Sequence, residues 1–434
     1  MEINTAIVAG TGKSGISATK LLVNHGVKVY LFDENKDRDI EAIKEKTGDS
    51  ELVQIELGEL GEDALSSSQL MVISPGIPVD APFTDVVRNA GIPIWSEIEL
   101  AYHYGKGKIA AITGTNGKTT TTALVGEIVK AHNAKTIVVG NIGIPYTELC
   151  DTTDDDSDTV AEISSFQLET VIDFHPNVSA ILNLTPDHLN RHYTFENYGN
   201  VKFSITKNQT MDDVTVLNYD DEHTRAMGEK AKDHCHVVYF SRLEKPAGGV
   251  YVEDGDIILE DGDKKINVLA IKDLKLMGAH NVENVLAAVG ISYYMGVPVD
   301  VIRDVATSFK AVAHRIEYVD TIDGVAYYND SKGTNPDAAI KGIQAMVAPT
   351  FLIGGGYDKG SEYDEWIEAF DGKVKWLVLI GQTAQKIADC AKRHGFNSII
   401  FEENLQDAVA YCHENAVDGD AVLLSPACAS WGQF

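Results

Sequence analysis

The sequence is poor in cysteine, in long apolar runs and in basic residues, and each shortage excludes a class of protein. Five scattered cysteines are an odd number, and no two of them have metal-ligand spacing, so spacing predicts neither a disulfide framework nor a zinc site. No apolar run is long enough to cross a membrane, and no basic stretch opens the chain. We therefore expect no signal peptide, no membrane span and a cytoplasmic location.

Basic charge is scarce as well. Lys and Arg total 36 against 65 Asp and Glu, which gives a formal net charge of −29. Such a chain repels phosphate backbones and anionic lipid head groups, so we expect partnership with neither nucleic acid nor a membrane. Of the 434 residues, 44% are hydrophobic, enough for two or three separate cores.

The order of apolar runs and helical patterns predicts an α/β protein of three domains, each with an open, mostly parallel sheet. We expect an N-terminal Rossmann-like domain, a central P-loop ATPase-like domain and a C-terminal Rossmann-like domain, at 1–96, 97–310 and 311–434. Between Val237 and Leu269, short β-like runs alternate with Gly-Asp turns and predict a small antiparallel appendage.

The sharpest motif is a phosphate loop that follows an apolar strand and precedes a helix. Its residues are Thr113, Gly114, Thr115, Asn116, Gly117, Lys118, Thr119 and Thr120. Glycines let backbone N–H groups turn towards phosphate oxygens, Lys118 adds a charge for the outer phosphates, and Thr119 offers a hydroxyl to Mg²⁺. The strict pattern has glycine at position 112, where this chain has Ile112.

A second glycine turn, Gly10-Thr11-Gly12-Lys13-Ser14-Gly15, also follows a strand, and Asp33 ends the next strand. By itself this pattern is typical of NAD binding. The turn cradles any diphosphate, and nothing downstream is built for hydride transfer. We therefore predict diphosphate binding and keep an NAD-dependent oxidoreductase as the alternative from another class.

Acidic and imidazole groups follow two strands of the central domain. Glu162 ends one, and Asp187-His188 follows another, where open sheets place ligand sites. Both are within reach of a Mg²⁺ beside Thr119. Lys202 stands on a predicted helix, and nothing in the pattern alone distinguishes it from a solvated lysine.

Basic and amide groups recur in the C-terminal half. They form the clusters His280-Asn281-x-x-Asn284, His314-Arg315, Asp330-Ser331-Lys332-Gly333-Thr334-Asn335 and Gly354-Gly355-Gly356-Tyr357-Asp358-Lys359. Arg315 and Lys332 are suited to neutralise a transferring phosphoryl group. The glycine run is as consistent with a flexible turn as with a site.

Taken together, these motifs make the chain resemble the Mur ligase family along essentially its whole length. Within the family, three features are most similar to the branch that adds D-glutamate to UDP-N-acetylmuramoyl-L-alanine. They are Gly10-x-Gly12-x-x-Gly15, Gly140-Asn141-Ile142-Gly143 and Ser425-Pro426-Ala427-Cys428-Ala429-Ser430.

The resemblance implies an ATP-dependent ligase of peptidoglycan precursor synthesis that forms an acyl phosphate, with ATP and Mg²⁺ as cofactors. The UDP precursor would contact Lys13, Ser14, Gly15, Asp33, Asn141 and His188. ATP would lie on the phosphate loop, with further contacts from Asn284, Arg315, Asp330 and Lys332. The catalytic residues would be Lys118, His188, Lys202 and Lys332.

The resemblance also implies two metal sites and an amino-acid pocket. One Mg²⁺, or Mn²⁺ as an alternative, would use Thr119 and Glu162. A second would use His188 and a carbamylated Lys202. D-glutamate would contact Lys332, Thr334, Lys359 and Ser430. Because family members continue with a further aromatic residue and a final helix, we expect the third domain to be incomplete at its end.

Alternatives remain at this point. A sibling ligase that adds another amino acid is the nearest, a folylpolyglutamate synthase is less compatible with the Gly10–Gly15 turn, and a nucleotide-binding regulatory module without turnover is a third. The general base stays open between His188 and the carbamate. We expect a monomer whose substrates are small molecules.

Overall fold

The first sheet consists of five parallel strands in the order β3-β2-β1-β4-β5. The strands are β1 (Thr5–Ala9), β2 (Lys28–Asp33), β3 (Val53–Leu57), β4 (Leu70–Ile73) and β5 (Ile94–Ser96). The helices are α1 (Lys13–Asn24), α2 (Ile40–Thr47), α3 (Glu62–Ser67), α4 (Pro82–Asn89) and α5 (Glu97–Tyr104). Strand order reverses between β1 and β4, the position at which such sheets bind ligands.

The second sheet has nine strands in the order β14-β13-β12-β11-β10-β9-β6-β8-β7. Its strands are β6 (Lys108–Thr113), β7 (Ile137–Gly140), β8 (Asp158–Glu162), β9 (Val178–Ile181), β10 (Val214–Asn218), β11 (His236–Ser241), β12 (Gly249–Glu253), β13 (Asp256–Asp261) and β14 (Lys264–Ala270). Its helices are α6 (Lys118–His132), α7 (Tyr146–Leu149), α8 (Ser165–Leu168), α9 (Leu189–His192), α10 (Phe195–Phe203), α11 (Glu222–Ala231), α12 (Ala279–Tyr294) and α13 (Val299–Ser308). Central strand β6 is apolar and buried from Ile109 onwards, as a strand covered on both faces must be.

The third sheet has six strands in the order β15-β16-β20-β17-β18-β19. Its strands are β15 (Glu317–Ile322), β16 (Val325–Asn329), β17 (Thr350–Gly354), β18 (Val374–Leu379), β19 (Ile399–Phe401) and β20 (Ala421–Leu424). Its helices are α14 (Pro336–Ala345), α15 (Asp364–Glu368), α16 (Ala384–Arg393) and α17 (Leu405–Asn415). All pairs are parallel except β15 with β16, and one apolar cluster covers each face.

The computed structural model describes residues 3–141, 143–276, 278–310, 314–358 and 360–429. The chain divides into two units, Met1–Lys272 with Asn284–Ala306 and Asp273–Glu283 with Thr307–Phe434. Among the described helices, none combines the length and apolarity needed to span a bilayer.

The three predicted α/β sheets are confirmed, and two local predictions need correction. The expected antiparallel pairing is present between β12 and β13 and between β13 and β14, but these strands belong to the second sheet, because β12 pairs in parallel with β11. Strands β3 and β15 were not predicted, since polar residues interrupt both and neither has a continuous apolar run. The domain boundaries after residues 96 and 310 fall between sheets and stay a prediction.

Candidate functional site

The phosphate loop joins β6 to α6, and two of its glycines are sterically required. Gly114 and Gly117 have φ angles of 149° and 85°. A Cβ on Gly117 would lie 2.3 Å from Oδ1 of Asn284, and one on Gly114 would lie 3.0 Å from Cβ of Leu182. Gly117 caps α6 without a side-chain hydrogen bond. The backbone thus forms the close-fitting, anion-facing turn that nucleotide phosphates need.

Asn183, which follows β9, holds this loop in shape. The Asn183 carbonyl accepts from the Thr115 N–H at 3.1 Å, and its side-chain Oδ1 accepts from the Asn116 N–H at 2.8 Å. Its Nδ2 donates back to the Asn116 carbonyl at 3.1 Å. Sequence reasoning assigned Asn183 no role, because such a brace depends on β9 lying beside β6.

Lys202, on α10, is the most deeply buried charged group of the site, at 1% exposure. Its Nζ donates to the Gly114 carbonyl at 2.8 Å and lies 4.7 Å from the Tyr198 ring centre. Burial, reinforced by the charge of Lys118, lowers the pKa of Lys202 well below its usual value, although Asp187 and Glu162 oppose the shift. The fold therefore brings Lys118, Glu162, Asp187 and Lys202 together, although they are far apart in the sequence. These surroundings shift Lys202 towards the neutral amine.

Lys118, the first residue of α6, turns towards the same loop. Its Nζ donates to the carbonyls of Gly114 and Thr115 at 3.0 and 2.8 Å. Thr119 and Thr120 follow in the first helical turn and are buried. Lys118 and Lys202 thus converge on the Gly114 carbonyl, and the charge of Lys118 beside the loop suits the oxygens of a triphosphate.

Glu162 ends β8 beside the loop and is 2% exposed. Its Oε1 accepts from Nδ2 of Asn141 at 3.1 Å, and its carbonyl accepts from the Asn141 N–H at 2.8 Å. A buried carboxylate with a second oxygen to offer, next to a threonine-rich helix start, fits the oxygen ligands that Mg²⁺ prefers. The predicted neighbours Asn141 and Glu162 do lie together.

His188 has a left-handed backbone, with φ at 53°, at the start of α9. Its N–H donates to Oδ1 of Asp187 at 2.8 Å, and its Nε2 lies 3.6 Å from Oδ2 of the same carboxylate. The ring packs at 4.8 Å against Phe166. The imidazole is a third exposed, so it is oriented by neighbours yet accessible to a ligand.

Arg191, one turn further along α9, was missed by sequence reasoning. Its guanidinium donates to both oxygens of Glu169, at 3.1 and 2.5 Å, and to the Ile77 carbonyl at 2.8 Å. It also lies over the Phe166 ring. Arg191 therefore ties the loop that carries His188 to the turn after β4 of the first sheet. Only its proximity to His188 in sequence hinted at a role.

The N-terminal glycine turn is tight for a different reason. A Cβ on Gly15 would lie 1.8 Å from the Gly10 carbonyl, and Gly10 has φ at 102°. Asp33 accepts from the hydroxyl and N–H of Thr11 at 2.6 and 3.1 Å and from Nε of Arg38 at 3.3 Å. Burial raises the pKa of Asp33, but these hydrogen bonds outweigh it and leave the pKa below its usual value.

A cavity of about 600 Å³ adjoins this turn. Its lining includes Thr11, Gly12, Lys13, Lys20, Lys46 and Thr147. Nζ of Lys13 also contacts the Gly143 carbonyl, while Ser14 is half-buried at the start of α1. Lys13, Lys20 and Lys46 suit an anionic ligand, although Glu148 and Asp151 also line the cavity.

The predicted residues of the second unit form a separate group. Asp330 is buried, and its Oδ2 accepts from the Ser425 hydroxyl at 2.7 Å. Burial raises the pKa of Asp330 to about 6, against the opposing effects of Ser425, Arg315 and the Ile316 N–H. Next to it, the Lys332 carbonyl accepts from the Thr334 N–H at 2.9 Å.

Three residues named from the sequence lie outside the described residues: Ile142, Lys359 and Ser430. Asn284, in contrast, is described beside the loop, where Oγ1 of Thr121 donates to its Oδ1 at 3.3 Å.

Comparison with protein-family models matches three segments of the chain. Residues 4–96 match the Mur ligase MurD-like N-terminal domain, 112–292 the Mur ligase middle domain, and 314–428 the Mur ligase glutamate ligase domain.

Individual relatives cover the same length. A UDP-N-acetylmuramoylalanine–D-glutamate ligase of Lachnospira eligens is 55% identical over 100% of this chain and 96% of its own. One of Lachnoclostridium phytofermentans is 51% identical over 99% and 94%. Among solved structures, MurF of Acinetobacter baumannii has a TM-score of 0.64 at 16% identity, covering 97% of this chain and 90% of its own, a likeness of fold.

Proposed function

Because this chain belongs to the Mur ligase family, we propose that it joins D-glutamate to UDP-N-acetylmuramoyl-L-alanine at the expense of ATP. Members of this family are ATP-dependent ligases of peptidoglycan precursor synthesis. The observation that carries the choice of D-glutamate is the name of relatives that are 55% and 51% identical over nearly the whole chain.

The phosphate loop is the part of this proposal with the strongest physical support. A carboxylate is a poor electrophile, so the precursor carboxylate first takes the γ-phosphoryl group of ATP and becomes an acyl phosphate. Phosphoryl transfer needs alignment and neutralisation of charge rather than a protein nucleophile. Lys118 provides that charge within the Gly114–Gly117 cradle, and Asn284, Arg315 and Asp330 supply further contacts to ATP.

The amine of D-glutamate then attacks the acyl phosphate carbon, and phosphate leaves from the tetrahedral intermediate. Lys332 and Thr334, with Lys359 and Ser430, hold D-glutamate in our proposal. His188 or the Lys202 carbamate accepts the ammonium proton. Lys13, Ser14, Gly15 and Asp33 hold the UDP end of the precursor, with Asn141 and His188 nearer to its reacting end.

Mur ligases use Mg²⁺ with ATP, and in our proposal Thr119 and Glu162 would hold one ion, whereas His188 and Lys202 would hold a second. Bound Mg²⁺ would neutralise the phosphate charge. Lys202 joins this set by reacting as the neutral amine with CO₂, which forms an N–C bond, releases one proton from the nitrogen and leaves an anionic carbamate as the ligand. The low pKa of buried Lys202 supports this assignment, because only the neutral amine is nucleophilic.

The test is phosphate release from ATP and Mg²⁺ with UDP-N-acetylmuramoyl-L-alanine and each amino acid in turn. We expect release with D-glutamate alone. Release with another amino acid, or with L-alanine acting on UDP-N-acetylmuramate, would replace the proposal by a sibling ligase. Lys118→Ala should abolish release, whereas Lys130→Ala, an exposed lysine on the same helix, should not change it.

A further inference from the structure

Two neighbouring helices of the second unit each carry a pair of metal-ligand side chains four residues apart. Asp364 and Glu368 lie at the two ends of α15. Cys390 lies in the last turn of α16, and His394 caps it. Four-residue spacing places each pair on one face of its helix. Because these four side chains include only one cysteine and come from two helices, the spacing of cysteines along the chain does not reveal them.

The fold brings three of these side chains to one point. One ligand atom each of Asp364, Cys390 and His394 lies within 4.8 Å of the other two. Nε2 of His394 is 2.8 Å from Oδ1 of Asp364. Cys390 is 3% exposed and belongs to the apolar core of the unit, so the cluster rests on a fixed base rather than on mobile surface side chains.

Glu368 completes the geometry. Its Oε1 is 3.6 Å from Nδ1 of His394, the ring nitrogen that faces away from Asp364. A carboxylate on the far nitrogen of a histidine is the usual support of a metal-bound imidazole, because it fixes the tautomer and the ring orientation.

We propose that Asp364, Cys390 and His394 bind one Zn²⁺ ion, with Glu368 orienting the histidine and water as the fourth ligand. A thiolate, an imidazole and a carboxylate form the mixed set that Zn²⁺ accepts in tetrahedral geometry, whereas Mg²⁺ avoids sulfur. Binding breaks the S–H bond of Cys390, forms the S–Zn bond and releases the proton to solvent. The ion links α15 to α16, and none of its ligands is a residue assigned to the reaction.

Arg393 is the competitor for this site. Its Nη2 lies 3.2 Å from Oδ1 of Asp364 and supplies the positive charge that a bound ion would otherwise bring. Its side chain is mostly exposed, so it can swing into solvent when an ion binds. Removing this guanidinium should therefore strengthen binding of Zn²⁺, whereas in a plain ion-pair cluster its removal would do nothing for the metal.

The probe is Co²⁺, added to the full chain without nucleotide. A thiolate bound to Co²⁺ gives a sulfur-to-metal charge-transfer band in the near ultraviolet, which a site of oxygen and nitrogen ligands does not give. We expect one equivalent of Co²⁺ to produce the band and one equivalent of Zn²⁺ to abolish it. A wild-type chain without the band, or with a band only at millimolar Co²⁺, would overturn the proposal.

Variants assign the band to its residues. Cys390→Ala and His394→Gln should abolish it, while Cys412→Ala, at another buried cysteine of the same unit, should keep it. His394 is exposed, so its substitution leaves the core intact. Glu368→Gln should weaken Zn²⁺ binding by about tenfold, and Arg393→Gln should strengthen it. A band that survives in both Cys390→Ala and His394→Gln would contradict the assignment.

Discussion

Two segments of this chain repeat one local structure, a strand, a glycine turn and a helix, in very different surroundings. At Gly10–Gly15 the turn adjoins an open cavity with Lys13, Lys20 and Lys46 on its wall. At Gly114–Thr119 the turn is more deeply buried, and the Nζ atoms of Lys118 and Lys202 both donate to the Gly114 carbonyl.

This difference in burial matches two different tasks, because one turn is proposed only to bind a diphosphate and the other to take part in phosphoryl transfer. A diphosphate that is only held needs a backbone cradle and exposed cations, which gain affinity by neutralising its charge. A phosphate that is transferred needs buried groups whose protonation the fold controls, because electrostatic effects are strongest where water is excluded. Burial lowers the pKa of Lys202. In the open turn, hydrogen bonds lower the pKa of Asp33 and keep it ionised.

The largest effect should come from Lys202→Ala. We expect a fall in kcat of about 1,000-fold, because the proposed carbamate ligand is lost at the point where charge develops. Bicarbonate or a short carboxylate should restore part of the rate. Affinity for UDP-N-acetylmuramoyl-L-alanine, measured by calorimetry, should change little, since the open turn is intact.

Lys230→Ala, at an exposed lysine of α11, is the matched control and should retain full activity. Full activity of Lys202→Ala would refute the carbamate role. If Lys202→Ala also lost affinity for UDP-N-acetylmuramoyl-L-alanine, precursor binding and phosphoryl transfer would not be assigned to separate turns.

The sequence was most informative about the sheets. Strands β4, β10, β16, β17 and β20 coincide with largely apolar runs of the sequence, because strands buried in parallel sheets need continuous apolar sequence. Strand β15 escaped prediction because Tyr318, Val319 and Ile322 are exposed at the edge of the third sheet, where burial imposes no such pattern.

The sequence was least informative about the protonation and the long-range contacts of its functional side chains. It placed Lys118 from a local motif, but nothing local distinguishes Lys202 from a solvated lysine. The pKa of Lys202 depends on burial and on the charges of Lys118, Asp187 and Glu162, which tertiary packing brings together. Arg191 and Asn183 were missed for the same reason, since each acts on a segment distant in sequence.

Replacing one glycine in each turn by alanine should show that the two turns bind different ligands. Each replacement should lower the affinity for one nucleotide by about 100-fold. In Gly15→Ala the new Cβ collides with the Gly10 carbonyl, so affinity for UDP should fall while affinity for ADP holds. In Gly117→Ala the new Cβ meets the positive φ and the Asn284 contact, so affinity for ADP should fall while affinity for UDP holds. Strain of about 3 kcal/mol corresponds to that loss.

Lys230→Ala, at an exposed lysine of α11 outside both turns, is the control. Calorimetric titration with UDP and with ADP measures all three variants. If either glycine variant lost both ligands equally, the turns would be one cooperative unit rather than two independent sites.

Arg191→Ala tests the connection between the two regions. Arg191 links the loop of His188 to the Ile77 carbonyl, so its loss should misplace His188 relative to the precursor. We expect KM for UDP-N-acetylmuramoyl-L-alanine to rise about tenfold, with KM for ATP little changed. Arg225→Ala, an arginine that bonds to the Tyr219 carbonyl, is the comparison. Equal changes in both KM values would argue against a role in positioning.

The smallest effect should come from Asp33→Asn in the open turn. The folded-state pKa of Asp33 lies below that of the unfolded chain, so its stabilising effect is complete above about pH 4 and is lost as pH falls through the folded pKa. At pH 7 the variant should lose about 1 kcal/mol, because asparagine still accepts a hydrogen bond from Thr11 but without the charge. Melting temperatures measured from pH 7 to pH 3 should therefore converge with those of the wild type, while exposed Asp37→Asn should match the wild type throughout. A Tm difference that stayed constant over this range would mean that Asp33 acts by shape alone, and that charge does not distinguish the open turn from the buried one.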